Sequence, residues 1–144
     1  CLPMRSMLRT GRHLNFNPMV QTDISQLWAE CNTWREALRS YREEFTKDKH
    51  KLQQLAAKPL SKEQFTDVEH FHNQFHLQLI NIHDVKQAIK IHERRVVLEQ
   101  SPANNHVQEI TYNEHEKLYD QYHSLEHTLQ DLRDEFDDFM ERTQ

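Results

Sequence analysis

The sequence predicts an all-α protein folded as an elongated up-down-up antiparallel three-helix bundle with coiled-coil-like heptads, and three observations carry that prediction. The 144 residues contain one glycine and four prolines, so the chain has few places to turn sharply. Apolar residues recur at alternating spacings of three and four along three long stretches, as in a helix that buries one face. Turn-forming residues interrupt the repeat around Pro59 and again around Pro102, leaving segments of similar length. Residues 20–144 are therefore expected to form the bundle, with helices at about 23–57, 62–99 and 111–143. Residues 1–19 mix Pro3, Gly11 and Pro18 with Arg5, Arg9 and Arg12 without periodicity, and are expected to be a flexible N-terminal extension.

The first helix is expected to start at Thr22 or Asp23, whose side chains cap free amides. Its seam reads Ile24, Leu27, Cys31, Trp34, Leu38, Tyr41, Phe45, Asp48, Leu52, Leu55, with Trp28 widening it and Asp48 as the one charged intruder. Asp48 is expected near His72 and Phe139, where it has the option of a buried pair with His72. Pro59 ends this helix, because the residue before a proline avoids helical geometry.

Ser61 and Gln64 form a capping box at the head of the second helix. Its seam is Val68, Phe71, Phe75, Leu79, Ile82, Val85, Ile89, Val96. Unlike the other two helices it carries apolar residues on the far side as well: Leu77, Ile80, Ile91, Val97 and Leu98, mixed with Asn73, Asp84 and Gln87. A helix buried on one side needs one stripe, so the second implies a further partner. Thr111 and Glu114 suggest another capping box for the third helix, whose seam is His115, Leu118, Tyr122, Leu125, Leu129, Leu132, Phe136, Phe139. At 1.5 Å per residue each helix is about 50–57 Å long, and short connections between equal elements favour antiparallel neighbours.

Composition excludes several classes of function. With Gly11 as the sole glycine, neither a P-loop nor a dinucleotide fingerprint is possible. A formal charge of −5 without a long basic run offers nucleic acid no stripe to follow. The longest charge-free stretch in the middle, Phe71 to His83, holds three histidines, two glutamines and two asparagines, so no membrane span is expected. Cys1 and Cys31 make no disulfide framework, which points to a reducing cytoplasm. None of the six serines stands in a Gly-x-Ser-x-Gly context, and no enzyme activity is expected.

The segment Val68-Glu69-His70-Phe71-His72-Asn73-Gln74-Phe75, between a tryptophan-containing first helix and a last helix ending in Glu135-Phe136-Asp137-Asp138-Phe139, resembles a group of small, uncharacterised, all-helical bacterial proteins. The resemblance covers about residues 20–144 and implies a soluble, coiled-coil-like fold with no assigned activity. Spectrin-type repeats share the helix count and the tryptophan of the first helix, and there the likeness is one of architecture only.

Eleven histidines are the compositional anomaly. Protonating all of them reverses the sign of the chain's charge between neutral and mildly acidic pH. A di-iron centre of the carboxylate-bridged kind needs two Glu-x-x-His pairs, and only Glu69 with His72 supplies one. Two smaller ligand sets remain, His72 with His76 and His83, or Cys31 with His92 and His115. Alternating helix direction places His92 opposite His115 to Leu118, and both opposite Leu27 to Cys31. The ordinary expectation for such a layer is a pair of core histidines bonded to each other, to a neighbouring side chain or to water, without metal.

The leading expectation is thus a non-enzymatic structural or protein–protein interaction module without a cofactor. It would self-associate as a homodimer, or dock another helical protein, through Leu77, Ile80, Ile91 and Leu98. The alternative is a metal-binding helical bundle with histidine ligands.

Overall fold

The computed structural model describes residues 23–99 and 107–143. The expected extension at 1–19 and most of the second connection lie outside them. Three helices make up the fold: α1 (Ile24–Ala56), α2 (Lys62–Leu98) and α3 (Glu109–Thr143). Side-chain pairings fix their directions. Arg35 meets Glu93 while Phe45 meets Phe75, so α1 and α2 run oppositely. His92 meets His115 while Phe71 meets Phe139, so α2 and α3 do too. The result is the up-down-up bundle that the spacing of apolar residues predicts. Among the described residues no helix is long and apolar enough to cross a membrane.

Helix ends follow local chemistry. The Asp23 carboxylate accepts the Gln26 amide at 2.7 Å, and Ser61 and Gln64 exchange both bonds of a capping box. The start of α3 departs from expectation. It begins at Glu109, and Thr111 is not a cap but a fully buried residue whose hydroxyl donates to the Glu99 carboxylate. That carboxylate also accepts the Gln108 amide at 3.1 Å. A charge at the end of α2 thereby holds the residue just ahead of α3 and the buried Thr111 hydroxyl, and its sign suits a helix N-terminus.

Every expected seam residue of α1 and α3 is buried. Trp28 does not widen the α1 stripe; it is 46% exposed, one position beyond the arc that faces the neighbouring helices. On α2, Leu79 and Val85 are only half-buried, whereas Gln78, His92 and Glu93 are buried beside Val68, Phe71, Phe75, Ile82, Ile89 and Val96. The difference has a geometric cause. α2 packs extensively on both other helices, so its buried arc is wider than one stripe and reaches polar positions on either flank. α1 and α3 approach each other less closely, and Trp34, Tyr119 and Tyr122 fill the space between them with ring centroids 5.7 Å apart.

Asp48 is buried on the α1 seam, as its heptad position requires. His72 is exposed, and Asp48 instead forms an ion pair with Lys51 at 3.9 Å. Burial pushes the Asp48 carboxyl up to about 6, against the pull of Lys51 and with Glu44 and Asp137 adding to the rise. Because this folded-state value lies above the ordinary 3.8, the native chain holds a proton through a range where the unfolded chain has lost it. The contribution favours folding below pH 3.8 and is lost as pH rises through about 6.

Two outcomes follow from this core. Leu129 has no exposed surface in the middle of α3, so Leu129→Asp should cost several kcal/mol and abolish cooperative helical melting. An unchanged melting temperature by circular dichroism would contradict the seam. Asp48→Asn should match the wild type near pH 4 and exceed its stability by roughly 3 kcal/mol at pH 7.5. Urea midpoints across that range measure the difference, and parallel pH profiles would show that Asp48 ionises freely in the fold.

Candidate metal centre

Near one end of the bundle a polar layer separates two apolar regions. Beyond it lies a small cluster of Ile24, Leu27 and Val96, with Val107 packed against it. On the other side the main core begins with Trp34, Leu118 and Tyr119. Each helix contributes one residue to the layer, and the heptad positions explain which. Cys31 follows Leu27 by four and precedes Trp34 by three on α1; His115 opens the α3 seam; His92 stands between Ile89 and Val96 on α2. Cys31 and His115 are fully buried, and His92 is 6% exposed.

The three side chains converge. Cys31 Sγ, one nitrogen of His92 and one of His115 all lie within 4.8 Å of one another. His92 Nε2 is 2.9 Å from His115 Nδ1, and Cys31 Sγ is 3.8 Å from the same nitrogen. A hydrogen bond between two imidazole nitrogens needs one proton between them. The remaining nitrogen of His115, Nε2, donates to Glu30 Oε1 at 2.8 Å, since a carboxylate only accepts. The indole of Trp34 stacks on the His115 ring with centroids 4.7 Å apart and fixes its plane. On the far side of His92, Nδ1 is 3.8 Å from Glu114 Oε1, while Glu114 Oε2 accepts from Arg95 Nη1 at 2.5 Å.

Burial lowers the His92 pKa to about 4, helped by the nearby His115 and Arg95 and opposed by Glu99. His92 is therefore neutral at physiological pH, as a metal-ligating imidazole must be. One helical turn further into the bundle, Arg35 on α1 bonds the buried Glu93 of α2 and also donates to Asn32 Oδ1 at 2.7 Å. Two arrangements suit the layer chemically. One is a dry hydrogen-bonded stack running Glu30, His115, His92. The other is a cation held by the thiolate and both imidazoles. Tetrahedral zinc distances require about 3.3 Å between two ligating nitrogens and about 3.6 Å between sulfur and nitrogen, against 2.9 Å between the two histidines and 3.8 Å from Cys31 to His115.

The expected ligand set of His72, His76 and His83 is not brought together. All three stand exposed along α2, and the metal-competent group among the described residues is Cys31, His92 and His115. The expected partner-binding residues Leu77, Ile80, Ile91 and Leu98 are all exposed, at 46 to 84%. Sequence reasoning missed Glu30 and gave Glu114 a capping role instead of its place between Arg95 and His92. Adjacency to Cys31 and to His115 was the available signal, but a carboxylate beside a seam residue is the commonest pattern on an amphipathic helix. Comparison of the chain with protein-family models, with curated proteins and with solved structures found no match.

Proposed function

We propose that this protein is a metal-binding helical bundle in which Cys31, His92 and His115 hold a borderline-soft divalent cation of the zinc class. The observation that carries the reading is the convergence of one sulfur and two imidazole nitrogens, one from each helix, within 4.8 Å. Thiolate with imidazole is a donor set that favours zinc and its neighbours over magnesium or calcium. The carboxylate of Glu30 behind His115 fixes that ring in the orientation in which Nδ1 faces the other donors, an arrangement common around zinc. Charge also balances, because a thiolate and the Glu30 carboxylate together offset a divalent ion. In this reading the ion cross-links the three helices through three protein donors and leaves its fourth tetrahedral position to water or a further ligand.

The test is direct. Chelator-treated protein titrated with Co(II) should bind one equivalent, giving visible bands of tetrahedral intensity and a near-ultraviolet thiolate-to-cobalt transition. Zn(II) should displace the cobalt and raise the melting temperature, by an amount worth about 2.7 kcal/mol at 100 times Kd. Cys31→Ala should lose the charge-transfer band and most of the affinity. A wild type that takes up no cobalt, or a Cys31→Ala that binds equally, would leave the layer as a hydrogen-bonded stack.

A second reading is self-association through the outer side of α2, and the exposure of Leu77, Ile80, Ile91 and Leu98 favours it. Each such residue covered in a dimer would contribute about 1.5–3 kcal/mol. The double variant Ile80→Lys, Ile91→Lys should keep the helical content and sediment as a monomer where the wild type does not. A wild type monomeric at tens of micromolar would discard this reading.

A further inference from the structure

Two carboxylates flank the histidine layer, and they differ in a way that bears on metal. Glu30 bonds His115 Nε2 at 2.8 Å with no ion needed. Glu114 stops 3.8 Å short of His92 Nδ1, beyond hydrogen-bond range. Yet it is not free to turn elsewhere, because Arg95, one helix away on α2, holds its other oxygen and leaves Oε1 directed at the ring.

A cation between the three donors must displace the proton that His92 Nε2 and His115 Nδ1 share across 2.9 Å; that proton is taken up at His92 Nδ1, and the Cys31 thiol proton leaves to solvent. Both imidazoles then keep a single proton, and each carries it on the nitrogen that faces a carboxylate. For His115 the recipient is Glu30; for His92 it is Glu114. We infer that Glu114, held in place by Arg95, is a positioning residue for the metal-bound state: its carboxylate closes onto the Nδ1 proton of His92 when Nε2 ligates the cation. The inference rests on the metal-binding reading and assigns to it a residue whose ionic partner in the bundle is the exposed Arg95.

The surroundings agree with this role. His92 is the only one of the three donors with any solvent exposure, and it lines an open groove with Ile91, Arg95, Glu114, Lys117 and Gln121. A cation reaching the layer by that side passes the Glu114 carboxylate first. With Oε2 kept on Arg95, the groove still leaves Oε1 of the 40% exposed Glu114 side chain space to close the 3.8 Å gap to the ring. Glu30, at 15%, is more buried and already bonded to His115.

Glu30 and Glu114 therefore give opposite signatures when each is neutralised. Glu114→Gln should leave the melting curve of chelator-treated protein unchanged while weakening Co(II) and Zn(II) binding about 10- to 100-fold. Arg95→Gln, which frees the carboxylate to wander, should weaken binding in the same direction and by less. Glu30→Gln should lower both the melting temperature of the metal-free protein and the affinity. The cobalt spectrum of Glu114→Gln should keep its thiolate band, because Cys31 still ligates. Equal Kd values for wild type and Glu114→Gln would overturn the inference and leave the metal site standing. A Glu114→Gln protein that melts earlier without metal would overturn it as well, by showing a role in the fold. A wild type that binds no cobalt would instead remove the metal reading on which the inference depends.

Discussion

In a bundle with a seven-residue repeat, the rotation of each helix about its axis and its height against its neighbours are set by the same side chains. Here the setting is done by a girdle of phenylalanines, Phe45 on α1, Phe71 and Phe75 on α2, and Phe136 and Phe139 on α3. The ring centroids of Phe75 and Phe136 are 4.9 Å apart, of Phe71 and Phe139 5.0 Å, and of Phe45 and Phe75 5.2 Å. Each such pair contributes about 0.5–1.5 kcal/mol beyond the area it buries. The polar layer depends on this distant contact. Cys31 lies two heptads before Phe45 and His115 three heptads before Phe136, so the rings that fix the seam also bring those two residues round to the core.

How much of this was written in the sequence differs between helices. On α1 and α3 the apolar stripe is regular and every residue assigned to it from Ile24 to Leu55 and from His115 to Phe139 is buried, although α3 also buries Tyr119 and Glu126 beside it. Alternating helix direction about the two loops, and not the apolar spacing, put Cys31, His92 and His115 in one layer. On α2 the stripe misled in part, because a helix gripped from two sides buries flanking positions such as Gln78 and Glu93 whatever their polarity. The start of α3 was misjudged for a different reason. Thr111 and Glu114 have the right spacing for a capping box, but the Glu99 carboxylate, brought there by the fold, takes both the Gln108 amide and the Thr111 hydroxyl. Long-range partners of this kind leave no trace in local spacing.

Buried polar groups are costly, and several polar pairs of this bundle join two helices. Arg35 with Glu93 ties α1 to α2, His115 with Glu30 ties α3 to α1, and Arg133 meets Glu44 at 3.4 Å while its guanidinium covers the Tyr41 ring. Sliding any helix by one heptad would keep apolar side chains against apolar side chains. It would also strand Glu93 or His115 without its partner, at a cost of order 3–5 kcal/mol for a buried charge. The apolar seam thus supplies stability that several alignments would share, and the ionic pairs single out one of them.

The complete burial of Cys31 gives this end of the bundle its own clock. A thiol with no exposed surface reacts with an alkylating reagent only in the fraction of time that α1 stands away from α2 and α3. Its labelling rate, compared with that of a thiol in an unfolded peptide, reads out the population of the opened form. With opening fast and reaction slow, a ratio of about a thousandth corresponds to roughly 4 kcal/mol of local stability. The opening of the end that carries the histidine layer can in that way be followed at a single atom, Cys31 Sγ.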